Sequence, residues 1–438
     1  MRPKAASAAA TAAVVILVLA LGGLMYARWR GETASAGGGR TPEAEPELAE
    51  SAPSAAPAPE KTPEPTPEPT PEKTPEATPE PTPEPTPAPE PGTEPEPTRA
   101  ETLLAGMSLY EKLCQMIIAR PKDVTGVSPV TLAGKATQAA LEKYPVGGLL
   151  YDTSNMVGPD QVRALTANTR SYMAITPILV CDEEGGSVAR LMNTVGTTKI
   201  GPMLSYAEQG TETAFSNAET IARDMADFGF NADFAPVADV WSNPENTVIG
   251  DRAYSTDFEQ AAGLVAAAVE GFHAGGVACT LKHFPGHGDT QTDSHFGEAF
   301  VTRTLDELRE RELLPFKAGI EAGADMVMIG HLVCSEIDDM PAPFSLRIVT
   351  ELLRGELGFN GVVVTDALEM QALQDYSIGD RCVRAVLAGV DLLLCPGDMD
   401  AALEALQTAV RDGLISEKRI DESVLRILSM KEARGMLD

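Results

Sequence analysis

The chain of 438 residues carries 34 basic and 64 acidic side chains, a formal net charge of −30 with its five histidines neutral. No basic patch offsets that charge, which argues against nucleic acid as a partner. The length allows two or three domains, but the composition divides the chain unevenly.

At the N-terminus, Arg2 and Lys4 precede an uncharged stretch over residues 5–27, closed by Arg28 and Arg30. That stretch is long enough to span a bilayer and longer than the core of a usual signal peptide, so residues 1–30 read as a signal anchor. Ala34-Ser35-Ala36 resembles a small-residue cleavage site, which leaves a cleaved signal and a secreted protein as the alternative. Residues 31–98 read as a disordered linker. Within residues 41–98 the motif Thr-Pro-Glu-Pro recurs, and that segment holds 20 of the 34 prolines and 14 glutamates against two lysines. Such a segment cannot bury apolar surface, and its like charges extend it. Fully extended as polyproline II it would reach on the order of 180 Å.

Residues 99–438 carry 27 basic and 49 acidic side chains and read as one folded domain. Short apolar runs at 115–119, 147–151, 177–181, 232–236, 279–282, 326–329, 361–365 and 391–395 predict eight strands. Amphipathic stretches at 158–173, 213–228, 257–274, 305–322, 346–357 and 399–410 predict helices between them. Continuous apolar strands joined by helical crossovers argue for a parallel sheet, and eight of them fit a single (β/α)₈ TIM-type barrel. A doubly wound open sheet is the alternative, but no Gly-x-Gly-x-x-Gly follows the first strand. The six cysteines include three, Cys181, Cys279 and Cys395, inside apolar strand runs. They read as buried thiols, not as a disulfide framework.

A barrel enzyme carries its reactive groups just past its strands. Here the third strand runs into Asp182-Glu183-Glu184-Gly185-Gly186, the fourth reaches Asp239, the fifth ends in Lys282-His283, the sixth meets His331 and the seventh Asp366. The fifth continues through Phe284-Pro285-Gly286-His287-Gly288-Asp289-Thr290 to Asp293-Ser294-His295, the densest proton-transfer chemistry in the chain. Gly286 and Gly288 suit unusual backbone angles, and Asp293 beside His295 suits a dyad in which the carboxylate fixes the imidazole tautomer and raises its basicity. No His-Glu-x-x-His and no Cys-x-x-Cys points to zinc.

These segments, with residues 234–240, Gly250-Asp251-Arg252 and Thr365-Asp366-Ala367-Leu368-Glu369-Met370, resemble glycoside hydrolase family 3. More narrowly they resemble its β-N-acetylhexosaminidase branch, which trims N-acetylglucosamine from peptidoglycan fragments. The resemblance implies a retaining mechanism with Asp366 as nucleophile and His295, steadied by Asp293 on a mobile loop, as general acid/base in place of the usual second carboxylate. It implies that Asp182, Arg190, Arg252, Lys282 and His283 hold the non-reducing-end N-acetylglucosamine. The expected partner is an N-acetylglucosamine-containing glycan or muropeptide, met by a monomer that needs neither metal nor cofactor.

Two departures stand out. The branch more often shows Asp-Gln-Glu-Gly-Gly where this chain has Glu183, and often a second Asp after the nucleophile where it has Ala367. Alternatives to the hydrolase are a phosphorolytic relative, since a neutral His tolerates an incoming phosphate, and a wall-binding protein without turnover. Three local alternatives also stand: an Asp182–Arg190 ion pair that serves stability alone, an Asp251–Arg252 ion pair, and simple packing for His331.

Overall fold

The computed structural model describes residues 96–290, 297 and 299–437. The expected anchor at 1–30 and nearly all of the linker at 31–98 lie outside the described residues, as do Asp293 and His295. Among the described residues, no helix is long and apolar enough to cross a membrane.

All eight expected strands form. They are β1 (Ile117–Ala119), β2 (Gly148–Leu150), β3 (Ile178–Cys181), β4 (Ala232–Asp233), β5 (Thr280–Phe284), β6 (Met326–Ile329), β7 (Val362–Thr365) and β8 (Leu393–Leu394). Every residue in them is buried, as strands covered on both faces require. One parallel sheet runs β8-β1-β2-β3-β4 and another runs β7-β6-β5. Isolated parallel bridges join them at both seams, Ala232 to Ala278 and Val237 to Lys282 on one side, Val364 to Leu392 on the other. The eight strands thus follow one another in chain order around a cycle.

Helices connect the strands, and their starts are written in the sequence. Thr98 with Glu101, Ser108 with Glu111 and Thr304 with Glu307 form reciprocal capping boxes, while Asp257, Ser377, Asp398 and Ser416 each cap through one side-chain oxygen. The single helix expected at 305–322 is two, Leu305–Glu310 and Leu313–Glu321. Pro315 explains the break: it has no N–H to donate, and in the first turn of the second helix none is needed. The expected helix at 346–357 winds in the wider π form over Arg347–Glu356. The last helix, Glu417–Ala433, closes on the first, where Glu432 accepts the N–H groups of Arg99 and Ala100 at 3.1 and 3.2 Å. All six cysteines are free and buried, including Cys181, Cys279 and Cys395, whose apolar strand runs predict buried thiols.

Candidate active site

The C-terminal strand ends enclose a cavity of about 250 Å³. Six of the predicted residues line it: Asp182, Arg190, Arg252, Lys282, His283 and Asp366. Its charged floor is built around Glu184, which is fully buried. The Lys282 ammonium, on β5, lies 2.8 Å from Asp182 Oδ1 and 2.5 Å from Glu184 Oε1. The Arg252 guanidinium grips the same carboxylate in a fork, with Nε and Nη2 each 2.8 Å from its oxygens. Burial pushes Glu184 up, but Arg252 and Lys282 prevail and hold it far below the usual carboxylate range. Burial likewise opposes the Lys282 charge, and Asp182 and Glu184 outweigh it, so the ammonium persists. Arg252 therefore pairs with Glu184 and not with Asp251. Arg190 approaches Asp182 Oδ2 at 3.7 Å, a long contact that leaves its donors available to a ligand.

His283 is fixed from behind. Its Nδ1 lies 2.7 Å from Asp239 Oδ2, and the other oxygen of Asp239 accepts the His287 N–H at 2.6 Å. Burial raises Asp239, but His283 outweighs it and the carboxyl is lowered overall, so it remains an anion that orients the ring. Gly286 has a φ of +128°, as its expected role requires. Gly288 serves differently: a Cβ there would lie 1.7 Å from the Val240 carbonyl oxygen, so the position needs close backbone approach and not an unusual angle. Beyond Thr290 the segment carrying Asp293 and His295 lies outside the described residues. Its base is held on either side, by the Asp289–Arg303 ion pair at 2.9 Å and by the strand Ala299–Val301 paired with Leu332–Cys334.

Asp366 is held by the strands around it. Its N–H donates to the Ile329 carbonyl at 2.9 Å, and Thr365 Oγ1 accepts the Leu394 N–H at 3.0 Å. His331 does not line the cavity; its Nε2 lies 2.9 Å from the Ala367 carbonyl oxygen, beside the residue that follows Asp366.

Sequence reasoning assigned no site role to three charged lining residues, Glu184, Arg120 and Glu369. Arg120 follows β1, and its guanidinium bridges Glu369 at 2.6 Å and Asp152 at 3.2 Å. The strand-end rule applied to β1 would have found it. Glu184 stands two residues from Asp182, so strand alternation puts both on one face. The lining charges, Arg120, Arg190, Arg252 and Lys282 against Asp182, Glu184, Asp366 and Glu369, balance. Such a cavity suits a neutral, hydroxyl-rich ligand.

Among the described residues, one cluster elsewhere has metal-ligand chemistry: His273, Cys279 and Asp325, with ligand atoms within 4.8 Å of one another. The Arg434 guanidinium already occupies it, 2.5 Å from Asp325 Oδ1 and 2.6 Å from His273 Nε2, so a cation there would meet an existing positive charge.

Parallel strands thus end in a charge-balanced cavity, with a carboxylate on one strand end and fixed donors opposite. The chain belongs to glycoside hydrolase family 3: the family model described as glycosyl hydrolase family 3 N terminal domain matches residues 108–430. The chain is similar to a protein named beta-hexosaminidase from Stenotrophomonas maltophilia strain R551-3, at 40% identity over 278 residues, 61% of this chain and 82% of that protein. It is 33% identical over 322 residues to beta-hexosaminidase A of Pseudoalteromonas piscicida, covering 66% of this chain but only 54% of that protein. Among solved structures, a family 3 β-N-acetylglucosaminidase from Paenibacillus sp. str. FPU-7 superposes with a TM-score of 0.71 at 38% identity, over 75% of this chain and 63% of that one.

Proposed function

We propose that this domain is a (β/α)₈ barrel and a retaining β-N-acetylhexosaminidase that removes non-reducing-end N-acetylglucosamine from peptidoglycan fragments. The observation that carries the reading is the meeting of Asp366 with Asp182, Arg190, Arg252, Lys282 and His283 around one charge-balanced cavity. A carboxylate on a strand end is fixed well enough to act as a nucleophile, and the paired cations opposite present N–H donors to hydroxyl and acetamido oxygens. His295, supported by Asp293, would protonate the leaving oxygen and then activate water. An imidazole has an ordinary pKa of about 6.5, suited to both steps. The names of the Stenotrophomonas and Paenibacillus relatives support the sugar assignment.

The proposal extends to export and membrane tethering, supported by the uncharged stretch over 5–27 and the proline-glutamate spacer that follows. The test of the chemistry is cleavage of a chromogenic N-acetyl-β-glucosaminide, with and without phosphate, and of the matching β-glucoside. Rapid, phosphate-independent release from the first alone is the expected result. Preference for the glucoside refutes the sugar assignment, and a requirement for phosphate refutes hydrolysis. For the tether, protease added to wall-stripped, sealed cells should release an active fragment near residues 99–438. Protection of the domain until the membrane is permeabilised would refute export.

A further inference from the structure

The segment after β3 alternates in direction. Asp182 and Glu184 both reach the Lys282 ammonium, whereas Glu183, between them, turns away and is 4% exposed. Its two carboxylate oxygens accept the N–H groups of Leu191 at 2.7 Å and Met192 at 2.9 Å, and the Asp182 carbonyl accepts that of Arg190 at 3.3 Å. These are the first three N–H groups of the helix Arg190–Thr194, whose N-cap, Ala189, has no side-chain oxygen to offer. Arg190 opens that helix and lines the cavity facing Asp182.

We propose that Glu183 is a positioning residue for the sugar-binding half of the cavity: its carboxylate clamps the start of the Arg190–Thr194 helix and thereby sets the Arg190 guanidinium against Asp182. The proposal rests on reading the cavity as an N-acetylglucosamine subsite. A glutamine brings one acceptor oxygen and an NH₂ group, so one backbone N–H would face a donor. A carboxylate satisfies both, and a protonated Glu183, with one oxygen turned into a donor, loses the same contact as glutamine.

Burial pushes Glu183 up to about 7, against the pull of the backbone N–H groups of Met192, Leu191 and Arg190. The titratable and charged groups around it are Cys181 at the end of β3, Asp182 and Arg190 on its own connection, and Asp233 on β4, which in turn feels Lys282 on β5. Asp233 accepts the Glu183 N–H at 3.0 Å, and burial pushes its own carboxyl well above the usual carboxylate range. The clamp is therefore complete above neutral pH and loosens as pH falls through about 7.

The experiment measures, in the full-length enzyme, the inhibition constant for free N-acetylglucosamine and the hydrolysis of a chromogenic N-acetyl-β-glucosaminide across the neutral range. Wild type should bind the sugar more weakly as pH drops through about 7. Glu183→Gln should bind about three- to tenfold more weakly than wild type at alkaline pH, match it at acid pH, and show no inflection between, with kcat changed far less. Glu183→Ala, checked for folding by circular dichroism, should bind more weakly still. An unaltered profile in an active Glu183→Gln, or wild-type binding in a folded Glu183→Ala, overturns the positioning role alone. A wild-type enzyme that neither cleaves the glycoside nor is inhibited by the sugar overturns the sugar reading and the positioning role with it.

Discussion

The two ends of the strands use buried charge in opposite ways. At the C-terminal end, Lys282, Glu184, Arg252 and Asp182 neutralise one another but border a cavity of about 250 Å³. At the other end, fully buried Asp391, just before β8, is closed in by Arg354 at 2.5 Å, Arg426 at 3.2 Å and Arg419 at 3.7 Å, with Ser423 donating at 2.6 Å. One network leaves donors for a ligand and the other spends its donors within the fold. Buried ion pairs alone do not mark a site; an adjoining cavity does.

That contrast can be broken by substitution. Asp366→Ala should lower turnover by several orders of magnitude, on the order of 10³-fold or more, while leaving the unfolding midpoint near wild type. A folded mutant with near-normal kcat would remove the nucleophile from the account. Asp391→Ala should do the reverse, costing about 3–5 kcal/mol in denaturant unfolding by stranding three guanidinium groups, with kcat per folded molecule unchanged. Loss of catalysis without loss of stability would erase the distinction between the ends.

Lys431 sharpens the comparison, because it is a buried cation with no carboxylate. It is fully buried, and its ammonium donates to Gln115 Oε1 at 3.0 Å. Burial lowers it from 10.5 to about 7. The unfolded chain keeps the proton up to 10.5 and the folded chain only to about 7, so stability rises with pH through that window and is flat below it. Lys431→Met should stabilise the protein at neutral pH by on the order of a few kcal/mol and abolish the slope, as urea titrations at several pH values would show. A slope that survives the substitution belongs to other groups. The smallest effect is expected at the surface, where Arg163 and Asp227 pair at 2.6 Å but remain largely exposed. Arg163→Ala should shift stability by no more than about 1 kcal/mol, and a larger loss by thermal unfolding would show that exposed pairs matter here.

The strands were legible because most of them are short apolar runs, and strand position then exposed Asp182, Asp239, Lys282, His283 and Asp366. What the sequence could not show was partnership across the fold. Arg252 has Asp251 beside it in the chain, yet it bonds Glu184, 68 positions away. Glu183 and Glu184 are adjacent and chemically identical, but strand alternation sends one to a helix start and the other to two cations. Arg120 could be found at the end of β1, but its pairing with Asp152 and Glu369, which follow other strands, could not be read from the sequence. The dyad at Asp293 and His295 rests on its spacing and on family resemblance.

The central claim is that Asp366 forms a covalent bond to the sugar. Incubating the enzyme with a 5-fluoro-N-acetylglucosaminyl fluoride, which slows breakdown of the glycosyl-enzyme, followed by protease digestion and peptide mass analysis, tests it most directly. The account predicts time-dependent inactivation and a single glycosyl adduct on Asp366. An adduct on a different carboxylate, or steady turnover of the fluoride with no adduct, would contradict it.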